Sequence, residues 1–352
     1  MSAPRAAPRT LRVLVVDDSD ASRAELVRIL ERAPGLSVAR ASRDGEEALR
    51  DALQLAPDVI VLDLQMPRMD GFTFLRLLMA RRPTPVVVVS GLSQPADVFK
   101  ALELGALDFV AKPETGGLAA VAGELLDKCS TVRALRIENL GARAAPARAP
   151  ARAHVLVEPS RVAVIGASTG GPSALQQLLA ALPGDLPLGI LVAQHMPERF
   201  TATFAARLGR GSAWSVHEAV EGDLVAAGRV LVAPGGHHLE LARDREGVLR
   251  ATIRPRDAAP GVRYVPSIDR LFESASRQVG RRACAVVLTG MGYDGRAGAA
   301  AVKRAGGLTL AESAESAVVY GMPHAASESG AVDEVLSLPG LAARLVRFAR
   351  ET

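Results

Sequence analysis

The sequence predicts two α/β domains in tandem, each built on a doubly wound, mostly parallel sheet. Three observations lead there: a length of 352 residues, short apolar runs that alternate with amphipathic segments, and one Ala/Arg/Pro-rich stretch that interrupts the alternation. At roughly 150 residues per domain, the length suffices for two separate apolar cores. The composition, 49% hydrophobic and 23% charged, is that of an ordinary globular chain rather than a disordered or fibrous one.

In the first domain, 11–132, strand-like runs lie at Leu11 to Val16, Val59 to Leu64 and Val86 to Val89, with weaker ones at Leu36 to Ala41 and Asp108 to Ala111. Helical patterns fall between them at 20–33, 45–55, 71–81 and 95–104, and a last one runs over 117–139. Together they make a complete (βα)5 unit. Residues 133–159 form the expected linker, because GARAAPARAPARAH has no hydrophobic period and cannot bury enough surface to fold alone. In the second domain, 160–350, strand-like runs occupy 162–167, 189–194, 229–233 and 284–289. Helical patterns follow at 172–181, 198–208, 267–279 and 295–305, and an amphipathic stretch runs from Leu338 to Phe348.

The formal net charge of +4 has its excess outside the folded segments, at Arg5 and Arg9 near the N-terminus and Arg143, Arg148 and Arg152 in the linker. The remainder is close to neutral, which argues against a nucleic-acid partner, since that needs a clustered basic face. The first ten residues lack an apolar signal core, and no run reaches the roughly 18 apolar residues that span a bilayer. The expectation is a cytoplasmic chain that is not inserted in a membrane. Cys129 and Cys284 have no metal-type spacing and read as buried thiols.

In an open parallel sheet, functional residues gather at the carboxyl ends of the strands. Asp17 and Asp18 end the first expected strand, Asp63 the third, Ser90 the fourth and Lys112 the fifth. Three converging carboxylates repel one another unless a cation joins them, and a hard oxygen set of this kind suits Mg2+. Asp63, the central one, is the expected phosphoacceptor nucleophile, with Lys112 offering a point charge and Ser90 a hydroxyl to the phosphoryl oxygens. One such Asp alone would read as a helix cap. VVDDS (15–19), VLDLQMPRMDG (61–71), VSG (89–91) and FVAKP (109–113) together resemble the receiver domain of bacterial response regulators, over residues 11–130. That resemblance implies a flavodoxin-like strand order, 2-1-3-4-5, phosphorylation of Asp63 by a partner histidine kinase, and Ser90 with Phe109 as the pair whose rearrangement reports it.

In the second domain VAVIG leads into Gly166-Ala167-Ser168-Thr169-Gly170-Gly171-Pro172, a strand, a tight turn of small residues and a helix start suited to Pro172. Such a turn exposes Ser168 as a nucleophile beside helix-terminal N–H groups. It equally suits a dinucleotide phosphate or a bare connection. The spacing departs from G-x-G-x-x-G, however, and the next strand, GILVAQH, ends in His195 rather than in an acidic residue. His195 is placed there as a general base, and Asp294, after a further apolar strand, can hold the imidazole tautomer. The chain order Ser168, His195, Asp294 is not the Ser, Asp, His order of α/β-hydrolases. His237 and His238, after APGG, read as loop residues pointing apart rather than as metal ligands.

GASTGGP, AQHMP, APGGHH, PSIDRLFES and LTGMGYDG, spread over residues 160–350, resemble the catalytic domain of the chemotaxis protein-glutamate methylesterase and glutaminase family. The resemblance implies a phosphorylation-regulated hydrolase that demethylates glutamyl methyl esters on the cytoplasmic helices of methylated chemoreceptors through an acyl-enzyme, and in some members deamidates glutamine. It implies Ser168 as nucleophile, His195 as base, Asp294 as its orienting partner, and backbone N–H groups at Thr169 and Met291 as the oxyanion hole. No cofactor enters that chemistry. The rival readings are a nucleotide-binding output domain using 166–171 and a DNA-binding one; the latter lacks the basic recognition helix such proteins carry.

Overall fold

The computed structural model describes residues 9–91, 95–113, 115–135, 157–256 and 264–351. The chain divides into two compact units, Met1–Ala142 and Arg143–Thr352. The expected linker lies for the most part outside the described residues.

In the first unit, β1 (Leu11–Val16), β2 (Leu36–Ser42), β3 (Val59–Leu62), β4 (Val86–Gly91) and β5 (Asp108–Lys112) form one parallel sheet in the order β2-β1-β3-β4-β5. This is the order that the receiver resemblance implies. The strands are nearly continuous in Val, Leu and Ile because both faces of the sheet are covered: Val13 and Val15 alternate with Leu14 and Val16, and all four are fully buried. The covering helices are α1 (Asp20–Glu31), α2 (Gly45–Leu55), α3 (Gly71–Arg81), α4 (Pro95–Glu103) and α5 (Ala122–Thr131). The first three start at short polar caps, Ser19, Asp44 and Asp70, whose side chains accept first-turn N–H groups. The last helix is shorter than its periodicity predicts. Leu118–Val121 forms a 3-10 turn ahead of it, where Glu25 of α1 takes the Ala119 N–H at 3.2 Å and draws the chain onto α1. Residues 136–139 lie outside the described ones.

In the second unit, β6 (Arg161–Ala167), β7 (Leu188–Gln194), β8 (Ser215–Glu218) and β9 (Arg229–Val232) precede a hairpin of β10 (His237–Arg243) and β11 (Leu249–Pro255). β12 (Ala283–Val287), β13 (Leu308–Glu312) and β14 (Glu334–Leu336) follow. Seven of these strands make one parallel sheet ordered β14-β13-β12-β6-β7-β9-β8, and β10 and β11 pair antiparallel outside it. The four runs legible in the sequence are the middle of this sheet, β12-β6-β7-β9. The other strands carry no continuous apolar run: β13 is buried but broken by Thr309 and Glu312, β8 and β14 are short, half-exposed edges, and β10 and β11 alternate apolar with polar or charged residues. Leu239, Leu241, Leu249 and Ala251 of that hairpin turn inward to a core shared with Leu271, Phe272 and Ala275.

The helices are α6 (Gly171–Ala181), α7 (Thr201–Arg210), α8 (Ile268–Val279), α9 (Arg296–Arg304), α10 (Met322–Glu328) and α11 (Leu338–Arg350). α8 reaches the end of β6 only because position 166 is glycine: a Cβ there would lie 2.2 Å from Ile268 Cγ2. Trp214 is buried, its Nε1 donating to the Leu182 carbonyl at 3.3 Å. Cys129 and Cys284 are buried, and burial pushes the Cys129 thiol up to about 12. Among the described residues no helix is long and apolar enough to cross a membrane.

Candidate functional site

The order β1-β3-β4-β5 aligns the carboxyl ends of four strands in the first unit. Asp17 and Asp18 follow β1, Asp63 follows β3, Ser90 lies near the end of β4 and Lys112 ends β5. Carboxylate oxygens of Asp17, Asp18 and Asp63 come within 4.8 Å of one another. Asp17 is fully buried and tightly held: Oδ1 accepts the Ser19 N–H at 2.9 Å, and Oδ2 accepts the Ser22 hydroxyl at 2.6 Å and Lys112 Nζ at 3.0 Å. Lys112 also bonds Asp63. Burial pushes the Asp63 carboxyl up, against the pull of Lys112; the Lys112 ammonium, although burial alone would lower it, is held up by Asp63 and Asp17. Ser90 and Phe109 are both buried on the neighbouring strands β4 and β5. Three hard carboxylates facing one lysine form a donor set that fits a divalent cation.

In the second unit, β7, β6 and β12 are neighbours, and the loops that leave them carry His195, Ser168 and Asp294 respectively. Main-chain bonds carry the alignment past the strand ends. The His195 N–H donates to Ala167 O at 3.1 Å, the Leu288 N–H to Gly166 O at 2.9 Å, and the Ser168 N–H to Thr289 O at 3.0 Å. Gly170, at φ +78°, turns the chain from Ser168 into α6. Gly290 lets the two turns approach, since a Cβ there would lie 2.7 Å from Ser168 Cβ.

His195 Nε2 donates to Asp294 Oδ2 at 2.8 Å. The Asp294 carboxylate is buried and sits at the start of α8, where Oδ2 also accepts the Ile268 N–H at 2.8 Å and Oδ1 the Asp269 N–H at 2.9 Å. Gly295 N–H at 3.1 Å and the Ser267 hydroxyl at 3.4 Å complete its shell. Burial alone would raise this carboxyl, but the bonds from His195 and the helix amides outweigh it and leave it below the usual carboxylate range. With Nε2 carrying the proton, Nδ1 holds the lone pair, and this buried atom has no hydrogen-bond partner among the described residues. The structure thus joins His195 to Asp294 and places Ser168, half-buried, on the adjoining turn without a hydrogen bond to the ring. Thr169 follows Ser168 directly, and Met291 follows Gly290, which packs on the Ser168 side chain.

Several residues around this pair carry no signal of their own in the sequence. Tyr264 stacks on the His195 ring, with centroids 4.4 Å apart and planes 3° from parallel. Gln194 Nε2 donates to Ser168 O at 2.9 Å and to His195 O at 3.1 Å. Asp269 accepts the Gly298 N–H of α9 at 2.7 Å, and burial together with the nearby Asp294 charge pushes its carboxyl up to about 6. His237 and His238 lie in β10 rather than on a loop, and strand alternation separates them. His238 is fully buried, its Nδ1 accepting the N–H of Ser267, the cap of α8.

Residues 163–345 match the CheB methylesterase family, and residues 13–120 match the response regulator receiver domain. Protein-glutamate methylesterase/protein-glutamine glutaminase 6 of Anaeromyxobacter dehalogenans (strain 2CP-C) is 72% identical over 346 residues, 97% of each chain. Protein-glutamate methylesterase/protein-glutamine glutaminase 1 of Myxococcus xanthus (strain DK1622) is 46% identical over 340 residues, again 97% of each. The crystal structure of the Thermotoga maritima CheB methylesterase catalytic domain is similar with a TM-score of 0.51 at 38% identity, covering 53% of this chain and 97% of that one.

Proposed function

The chain belongs to the CheB methylesterase family, with a response regulator receiver domain ahead of the esterase, and from that premise we propose that it hydrolyses glutamyl methyl esters through Ser168, His195 and Asp294. The observation that carries this reading is the bond of 2.8 Å between His195 and a buried, ionised Asp294, beside the turn that presents Ser168. Asp294 fixes the proton on Nε2, so Nδ1 is the basic nitrogen. The Ser168 hydroxyl takes up its bond to that lone pair with substrate bound, as nucleophile–base bonds in acyl transfer often do.

Ser168 Oγ gives its proton to Nδ1 and attacks the ester carbonyl. The tetrahedral oxyanion meets the N–H groups of Thr169 and Met291. Collapse breaks the C–O bond to the methoxy group, which takes the Nδ1 proton and leaves as methanol. Water then repeats the sequence on the acyl-serine, restoring Ser168 and releasing the glutamate carboxylate. With a glutamine side chain the same path expels ammonia. Asp294 remains ionised throughout and stabilises the imidazolium that forms twice per turnover.

In the receiver domain Asp63 accepts a phosphoryl group from a partner histidine kinase, Lys112 and Ser90 contact its oxygens, and Ser90 with Phe109 reports its arrival. Asp17, Asp18 and Asp63 would hold Mg2+, which when bound offsets charge on the phosphoryl oxygens. The substrates are the cytoplasmic helices of methylated chemoreceptors, which places the enzyme in the cytoplasm. Nucleotide- or DNA-binding output is not favoured, because methylesterase relatives match along nearly the whole chain.

The test is methanol release from methylated receptor by wild type and Ser168→Ala. The variant folds with a wild-type urea transition and turns over slower by on the order of 10⁴-fold or more. Wild-type turnover in the variant would reject the assignment.

A further inference from the structure

Thr289 is fully buried one residue before Gly290 and makes no contact that requires it to be a reactant. Its polar groups instead bracket the nucleophile turn. Its carbonyl accepts the Ser168 N–H at 3.0 Å, and its hydroxyl donates to the Thr169 carbonyl at 2.9 Å. The same hydroxyl accepts the Val319 N–H at 2.9 Å, and the Thr289 N–H donates to Glu312 Oε2 at 2.8 Å. Both the donor and the acceptor capacity of Oγ1 are therefore engaged in a site closed to water.

The peptide planes on either side of the Ser168–Thr169 peptide are fixed by one residue. The plane between them has its Ser168 carbonyl held by the Gly171 N–H at 2.8 Å and by Gln194 Nε2 at 2.9 Å. Because a trans peptide sends its N–H opposite to its C=O, the direction of the Thr169 N–H is set by these bonds. Gly290 and Met291 continue directly from Thr289, so a shift of its backbone moves both sides of the expected oxyanion hole together.

We propose that Thr289 is a positioning residue for ester hydrolysis, whose hydroxyl holds the Ser168–Thr169 turn in register with the Gly290–Met291 turn. This rests on the assignment of Ser168 as nucleophile. The role belongs to the transition state, since an oxyanion donor misplaced by a fraction of an ångström weakens charge stabilisation while leaving substrate contacts in place.

Thr289→Val keeps the branched shape and removes the hydroxyl; Thr289→Ser keeps the hydroxyl and removes the methyl. Thr289→Ala is made in parallel, so that a folding failure of the valine variant does not decide the question. Full-length proteins are compared by methanol release from methylated receptor, with urea unfolding as the check on folding and Ser168→Ala as the reference. The expected result is a kcat lower by about 10²-fold in the folded hydroxyl-deleted variant, a KM within about threefold of wild type, and recovery to within about fivefold in Thr289→Ser. A kcat near wild type without the hydroxyl, while Ser168→Ala is inactive, would overturn this inference and leave the nucleophile standing. Equal losses in the serine and hydroxyl-deleted variants would also overturn it, by making the methyl packing the cause. Activity retained in Ser168→Ala would remove the nucleophile assignment and the inference with it.

Discussion

Replacing Asp294 by Asn tests the site where its chemistry and its packing meet. The wild-type carboxylate accepts bonds from His195 Nε2, the main-chain N–H groups of Ile268, Asp269 and Gly295, and the Ser267 hydroxyl. An amide has one acceptor oxygen. If its NH2 takes the place of Oδ2, it faces the His195 and Ile268 donors; if it takes the place of Oδ1, it faces the Asp269 and Gly295 amides. In the first case the imidazole moves its proton to Nδ1 and accepts from the amide, leaving only the Ile268 N–H unpaired; in the second the two main-chain amides are unpaired while the Ser267 hydroxyl turns to accept. One or two buried donors lose their acceptor, at about 1–3 kcal/mol each, so the variant unfolds about 1–6 kcal/mol more easily in urea. The effect on turnover is larger. The imidazole loses both its fixed tautomer and the charge that stabilises its protonated form, which in Ser-His-Asp proteases costs about 10⁴-fold, or about 5 kcal/mol of barrier. kcat for methanol release at saturating receptor, measured on protein shown to be folded, reads this directly. A folded Asp294→Asn enzyme within about tenfold of wild type would refute the role given to the His195–Asp294 pair.

Asp269 supplies a pH test. Its folded carboxyl, pushed up to about 6 from the ordinary 3.8, holds its proton more tightly than the unfolded chain does. The protonated form therefore favours folding, and that contribution is lost as pH rises from the unfolded to the folded value. Asp269→Asn keeps an acceptor for the Gly298 N–H and is neutral throughout; across that window wild type should lose about 1 kcal/mol relative to the variant, a figure reduced for partial exposure. Parallel urea midpoints from pH 4 to 7 would reject the assignment. Asp63→Asn addresses regulation: acetyl phosphate should raise wild-type turnover by about 5- to 150-fold, the span of ordinary coupling energies, and should leave the variant's rate unaltered by the phosphodonor. An equal response in both proteins would show that Asp63 is not the phosphoacceptor.

The sequence by itself determined the two α/β units and the residues at the carboxyl ends of their central strands. A strand buried on both faces must be apolar almost throughout, and the residue where it stops is then conspicuous: Asp17 and Asp63 after β1 and β3, His195 after β7, Ser168 on the small-residue turn after β6. In the second unit the strands that stayed hidden lack either the double burial or a continuous apolar run: β13 is buried, but Thr309 and Glu312 break its pattern. β8 and β14 are half-exposed edges, and β10 and β11 are buried on one face only, so their pattern is alternation diluted by charge. Only the tertiary structure decided the order β12-β6-β7, which sets residues more than a hundred positions apart on adjoining turns. It also decided which imidazole nitrogen faces Asp294, and the roles of Thr289, Gln194, Tyr264 and Asp269. Those four act by holding main-chain groups or a ring in place. A bond to a backbone carbonyl or amide asks for a hydroxyl, an amide or a carboxylate at one point in space, and leaves no period in the chain by which to find it.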